Sequence, residues 1–525
     1  MGQSPIAASR YPAEPRAAHG WQLRRVTAPS RLFGANGLRT GPDGRIYIAQ
    51  VTGSTISALD VDTGAMETIS AKGGDIIAPD DVAFGADGTL FATEVMDGRV
   101  SARDAGGRTR ILRDDLPSAN GITVYQGRLF VNECREGGRL FELSLNGRAP
   151  RLIAENLPSP NAMEVGPDGL LYFPVMGANE IWRISPEGGE HQVVATGLGV
   201  PDSVKFDADG MIISTQVHSG QVLRIDPRTG DKTMLAQLNP GLDNCTFAGG
   251  RLFVSNFTGS ITEVCPDGGT RDLLHGGLNW PLDLTVGADG RLYIADGTFL
   301  YVLDDDRLQT VAMLFTPGYP GFVRGITTAG PGEFVVTTSG GQVARYRPAA
   351  AETDYLADGL DQLYGVAIDG DAVLVVEQGT GRLLSLRSSG IDQLATGLHT
   401  PVAVVIGPHG PLISETGRVV AADGTVVVDN LIRPQGMLVR GDLLYLVDSG
   451  TKDLIEVNLA TGSRRALASG LPLGAAPGIT PKPLRGMPPF SGPQGPFAGL
   501  ASGPDGVLYI SADGDGSILA LDKGR

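Results

Sequence analysis

From Pro160 to Val194 short apolar runs alternate with turns: NAMEV, GPDG, LLYFPV, GAN, EIWRI, SPEGG and HQVV. Each run is too short for a helix, rich in β-branched and aromatic residues, and bounded by Gly, Pro, Asn or Asp. Four strands of an antiparallel meander are therefore predicted. Asp-Gly supplies the positive φ that a tight hairpin needs. A lone meander cannot bury both of its faces, and the chain repeats it. The inner-strand phrase recurs as ANGLRTGPDG from Ala35, PDDVAFGADG from Pro79, ANGITVYQG from Ala119, PDSVKFDADG from Pro201 and LDNCTFAGG from Leu242. Six more copies begin at Pro281, Val323, Leu363, Pro401, Pro434 and Pro496. Successive starts lie mostly about 40 residues apart, the period of propeller blades. Almost no window carries a 3.6-residue apolar period, which excludes helical repeats.

The expected fold is all-β: two consecutive six-bladed β-propellers built from twelve four-stranded antiparallel repeats. Residues 1–20 are expected to be a flexible lead-in. Residues 21–267 form the first propeller, the catalytic and metal domain, and residues 268–525 the second. A Pro/Gly-rich stretch over 471–495 is expected to be a long loop that covers a channel mouth or packs against the neighbouring propeller. Ring closure is expected by exchange of outer strands. Trp21–Val26 would complete the sixth blade beside residues 242–266, and Thr270–Leu274 would cross over to the last blade, leaving no bare edge.

Composition changes this picture little. The 75 glycines and 35 prolines sit at spaced turn positions, so they punctuate strands and do not signal disorder. A formal net charge of -16 argues against nucleic acid and anionic membrane as partners. No stretch is long and apolar enough to span a bilayer. Three scattered cysteines and an N-terminus without a basic-then-apolar order point to a reducing, cytoplasmic setting.

The first residues of the inner strands meet at one end of a central channel. In the first six repeats they read Asn36, Asp80, Asn120, Asn161, Asp202 and Asn244, with Asp81 and Asp243 adjacent. In the second six they read Leu282 or Asp283, Arg324, Tyr364, Val402, Gln435 and Phe497. Asn and Asp before a strand often only cap a turn. Their presence in every one of the first six repeats instead suggests an oxygen-rich site for a hard divalent cation. Turns after the second strands add Glu94, Glu133, His218 and Asn256, of which His218 suits a general base near neutral pH.

The phrases ANGLRTGPDG, ANGITV, PNAMEVGPDG and PDSVKFDADG resemble the inner-strand segments of the SMP-30/gluconolactonase/LRE-like superfamily of six-bladed, NHL-type propellers. That resemblance implies a divalent cation at the channel mouth, Ca²⁺ first, with Mg²⁺, Mn²⁺ and Zn²⁺ as alternatives. The matching ligands are Asn120, Asn161 and Asp202, with Asn36 standing where the family has a glutamate. Segments such as VHSGQVLRIDPRTG also look like repeats of virginiamycin B lyase.

The function implied is a metal-dependent hydrolase of a small lactone or ester in the first propeller, with Asp202, His218 or Asp80 accepting a proton. A ring-opening C–O lyase and a non-enzymatic ligand- or protein-binding double propeller are the alternatives. The expected partner is a small-molecule substrate, with propeller–propeller contact inside the chain.

Overall fold

The computed structural model describes residues 9–11, 14–305 and 307–524. Strands make up nearly all of its regular structure, and two three-residue 3₁₀ turns are the only helical pieces among the described residues. Twelve antiparallel sheets follow one another along the chain, as expected of propeller repeats. The opening repeat folds as Glu164–Val165, Leu171–Val175, Glu180–Ile184 and Gln192–Ala195, paired in that order. No helix among the described residues is long and apolar enough to cross a membrane.

The sheets divide into two compact units. The first comprises Leu32–Gly276 with Thr480–Pro488; the second comprises the N-terminal residues through Arg31, Gly277–Ile479 and the residues from Pro489 onward. Each holds six sheets. Within the first unit every sheet buries one face against the sheet before it and one against the sheet after it. Tyr47 and Ala49 pack on Val82 and Leu90, for example, and Phe130 and Leu140 on Leu171 and Phe173. Ile46, Ile48 and Leu59 of sheet one pack on Phe253, Ile261 and Leu274 of sheet six. Apolar burial contributes roughly 25 cal/mol per Å², so these sheet-to-sheet seams hold the unit together.

A recurrent glycine explains part of the repeated phrase. Gly121 lies so close to the next inner strand that an added Cβ would sit 2.3 Å from the Asn161 carbonyl oxygen. Gly37, Gly325 and Gly436 meet the carbonyls of Asp80, Tyr364 and Ala498 at 2.4, 2.3 and 2.3 Å in the same way. A side chain at any of these positions would push neighbouring inner strands apart.

Three expectations about the ends of the units are corrected. Trp21–Arg25 pairs with Ser517–Lys523 and completes the last sheet, not the sixth. Thr270–Leu274 stays local, paired with Ile261–Val264 of its own sheet. The division between units falls at Gly276/Gly277 and again at Arg31/Leu32, so the first unit is inserted within the second. An outer-type strand such as WQLRR fits the edge of any sheet, so local pattern alone could not choose between them. The described part of the N-terminal lead-in is also tied down. Arg16–Ala17 adds a fifth strand beside Arg464–Ser469, and the Arg10 guanidinium donates to the carbonyls of Asn279, Asp513 and Gly514 at 2.7, 3.0 and 3.0 Å. Residues 1–8 and 12–13 of that lead-in lie outside the described residues. The 471–495 stretch forms no strand or helix, yet Lys452 Nζ holds the Leu473 carbonyl and the Gly474 amide donates to Asp513 Oδ1.

Candidate functional site

The inner strands of the first unit begin with the residues singled out in the repeats, and several of these meet across neighbouring sheets, at the end termed the mouth. Asp202 and Asp243 are buried, and Asp80 is half-buried. Asn161 Nδ2 donates to Asp202 Oδ2 at 3.0 Å, and Asn36 Nδ2 donates to Asp243 Oδ2 at 3.0 Å. Asn120 is 4% exposed and its Oδ1 is buried without a partner. None of the three carboxyls makes an ion pair with a described residue. Burial pushes the Asp80 carboxyl up to about 7, helped by the neighbouring charge of Asp81. Burial raises Asp202 well above the carboxylate range, with Asp80 and Asp81 adding to it. Asp243 is raised likewise, by burial and then by Asp202 and Asp80. A group of carboxyls in low dielectric without counter-charge resists ionising together.

One residue further along, the side chains do a different job. Asp81 Oδ1 accepts from the Val82 amide at 2.8 Å, and Asn244 Oδ1 from the Cys245 amide at 2.8 Å. Both cap their own strand. Glu94 and Glu133, fully buried, also work structurally. Glu94 accepts from the Ile77 amide and pairs with Arg99 and Ser101; Glu133 pairs with Arg135 and Arg139. The Glu94 contact belongs to a repeated device. Gln50 takes the Phe33 amide, Gln216 the Gly199 amide and Asp296 the Asn279 amide, each reaching back 17 residues. Asn256 Oδ1 accepts from the Thr258 amide within its own turn. His218 stands in the turn after Gln216, half-buried, with Nδ1 enclosed and unpartnered. Cys245 is a buried thiol raised by its burial, as its place in a strand interior suggests.

A feature missing from the sequence reading lies below the mouth. Three residues after Asn36, Asn161 and Asp202 stand Arg39, Glu164 and Lys205. Arg39 Nη1 and Lys205 Nζ meet Glu164 Oε2 at 2.6 and 3.2 Å, and Arg39 also donates to the carbonyls of Val82 and Ile122 at 3.0 Å each. Burial works against ionising Glu164, but Arg39 and Lys205 hold it below its usual range. This belt ties three inner strands together beneath the mouth. The signal was present: LRT, MEV and VKF each carry one charge inside an apolar strand at the same register.

The oxygen-rich mouth can be tested for fit to a divalent cation. Among the described residues no three His, Cys, Asp or Glu side chains stand close enough to hold a metal by themselves. Amide oxygens would have to complete the set: Asn120 Oδ1 is unpartnered, whereas Asn36 Oδ1 and Asn161 Oδ1 already accept from the Val51 and Ala162 amides at 3.2 and 2.8 Å. At the rim, Lys482 and Arg485 lie 3.7 Å from Asp75 and Asp97, which flank the start and end of the first two strands of sheet two.

The repeated phrases and the acidic mouth occupy the stretch that matches a known family. Residues 16–256 match the model of the SMP-30/Gluconolactonase/LRE-like family. Members of that family are commonly metal-dependent. No curated protein sequence matches the chain. Among solved structures, a streptogramin B lyase is 18% identical, with 52% of this chain and 94% of that chain covered, at a TM-score of 0.40. Virginiamycin B lyase from Staphylococcus aureus is 14% identical over 62% of this chain and 96% of its own, at a TM-score of 0.38. A nidogen/laminin complex is 21% identical over 38% and 78%, at 0.35. These similarities carry no activity across.

Proposed function

We propose that each unit is a six-bladed β-propeller and that the first hydrolyses a small lactone or ester at its acidic mouth. The observation that carries this reading is the set of three carboxyls, Asp80, Asp202 and Asp243, without a cationic partner beside the orphaned Asn120 Oδ1. Their mutual repulsion is relieved by protons or by a cation. Asn36, Asn120, Asn161 and Asp202 would hold a divalent ion, and an all-oxygen set suits Ca²⁺. Bound there, the ion supplies Lewis-acid polarisation of a substrate carbonyl. Asp243, held by Asn36, brings from sheet six a carboxylate to the place where relatives carry a first-blade glutamate.

Asp80 or Asp202 would take the proton of the attacking water, and the Asn161 amide fixes the Asp202 carboxyl for that task. The Arg39–Glu164–Lys205 belt joins three inner strands three residues along from these mouth positions and would narrow that side of the site. His218 supports a second reading. Its unpartnered Nδ1 is a base that needs no metal, which suits ring-opening elimination.

Calcium titration and turnover on a lactone and ester panel, in wild type, Asp202→Asn and His218→Asn, separate the readings. Hydrolysis predicts that Asp202→Asn weakens calcium about tenfold and cuts turnover by about 10²-fold or more. Loss of activity in His218→Asn, with Asp202→Asn active and calcium dispensable, would establish elimination. Neither binding nor turnover in wild type would leave a binding scaffold.

A further inference from the structure

The mouth of the second unit has the opposite electrical character. Arg324 begins an inner strand there and is completely buried. Its guanidinium lies over the Tyr364 ring, 3.5 Å from the ring centre. Nη1 and Nη2 donate to the carbonyls of Pro493 and Gly495 at 3.1 and 2.9 Å, and Nε is buried with no partner. No described carboxylate pairs with it. The acid in the same mouth, Asp283, is committed elsewhere, accepting from the Leu284 and Ile326 amides at 2.9 and 3.0 Å. Tyr364 and Phe497, edge to face, and Gln435, which accepts from the Ala498 amide, complete the mouth.

A buried guanidinium without counter-charge is costly. Stacking on Tyr364 and two carbonyl dipoles offset only part of that cost. The two carbonyls take the two outer nitrogens of one fork, the arrangement in which arginine grips a carboxylate. The segment that supplies them is seated partly by side chains, with Ser491 and Gln494 buried. Its residues 490–495 form no strand. Gly492 N and Gln494 Nε2 donate to Ser339 Oγ at 3.2 and 3.0 Å, and Phe490 leans on Phe315. The inner strands of the same unit line a cavity of about 380 Å³, with Asp283, Ala367, Val405, Leu438 and Phe497 among its walls. The first unit has a charged belt at the same register, whereas here the layer is uncharged, with Thr285, Thr327, Ala367, Val405, Leu438 and Leu500, and the space is open.

We propose that the second unit's mouth is a binding site for a small organic carboxylate on Arg324, and that residues 490–495 occupy it as an internal stand-in. The two carbonyl oxygens of Pro493 and Gly495 take the place of the ligand's two carboxylate oxygens. A carboxylate entering the mouth displaces the segment and pairs the buried charge. The site is independent of catalysis in the first unit.

Two substitutions pull in opposite directions. Arg324→Met removes the fork while keeping bulk. Gly492→Ala places a Cβ 2.0 Å from the Ser339 carbonyl oxygen, which forces the segment off its seat. Hydrogen exchange of residues 490–497 is read during titration with succinate, benzoate and inorganic phosphate, using the full chain. Carboxylates are expected to raise exchange in wild type saturably, to bind about tenfold tighter in Gly492→Ala because the competing segment is weakened, and to have no effect in Arg324→Met. If Arg324→Met does not fold, Arg324→Lys decides: it keeps the charge but loses the fork, so binding at least about tenfold weaker is expected. The proposal is overturned if no carboxylate alters exchange in either wild type or Gly492→Ala, if Arg324→Met responds like wild type, if Arg324→Lys binds as tightly, or if only phosphate acts.

Discussion

At Asp202 the carboxyl is 3% exposed and shares its surroundings with Asp80, Asp81 and Asp243. Removing one charge from such a group should help the fold while harming the site. Without divalent ions, Asp202→Asn is expected to melt a few degrees higher than wild type, on the order of 1 kcal/mol, and to bind calcium more weakly. Differential scanning fluorimetry with and without calcium reads both effects. A lower melting point in the ion-free state would mean that the carboxylate is a structural partner. The pH dependence has the same origin. These carboxyls keep their protons in the folded chain above the range where the unfolded chain has lost them, so their contribution to stability falls as pH rises. For Asp80 the window runs from about 4 to about 7. Ion-free protein should therefore lose stability from Asp80 between about pH 4 and pH 7, and calcium should flatten the trend. A fall over that interval in Asp80→Asn that equals the wild-type fall would remove Asp80 from the account. Asp202 and Asp80 could be picked out in the sequence, but Glu94 could not be told from them. What separates it is an amide 17 residues back, a relation visible only once both strands are placed.

A strand in this chain is defined by its alternation, and most strands are where the alternation puts them. The short inner strand Glu164–Val165 shows the limit: Pro160 still bridges to Val175 and the Asn161 amide donates to the Pro174 carbonyl, but the Ala162 amide turns to Asn161 Oδ1 and regular pairing begins only at Glu164. The glycine two residues into the phrase is an element-scale constraint of similar force. Gly121→Ala should cost about 2–4 kcal/mol and shift Asn161, whose carbonyl a Cβ would strike. Gly436→Ala should cost a comparable amount in the second unit and leave calcium binding in the first unit unchanged. Chemical unfolding with parallel calcium titration checks the pair; equal loss of calcium in both would uncouple the mouth from this packing. The charged layer was legible as three charges at one register. Its meaning was not, because Arg39, Glu164 and Lys205 belong to sheets one, four and five and meet only across the channel.

For the whole molecule, repeat counting reached twelve sheets, and it misjudged which of them the first strand completes. Edge pairing is decided by which sheet lacks its outer strand, and that is a property of the assembled chain. Trp21 and Leu23 pack on Leu508, Leu519 and their neighbours, and Arg25 reaches Asp515 at 3.0 Å. Deleting residues 1–20 removes the Arg10 anchor and the Arg16–Ala17 strand, and should lower the melting point of the second unit by several degrees. Deletion through Arg25 should go further and cause aggregation through the exposed edge. Thermal melts and size-exclusion profiles of both truncations test this; unchanged behaviour after the longer deletion would make the strand dispensable.

That pairing also sets an order of events during synthesis. The Trp21–Arg25 segment leaves the ribosome early, and its partner Ser517–Lys523 is translated about 490 residues later, roughly 25–100 s at 5–20 residues per second. Through that interval one half of the closing pair waits, with its hydrogen-bonding edge open to other nascent chains. The Leu32–Gly276 unit meanwhile has all six of its sheets in hand and can fold while translation continues. The last seconds of translation, and the chaperones present during them, then decide whether the waiting strand finds its own sheet or that of a neighbouring polypeptide.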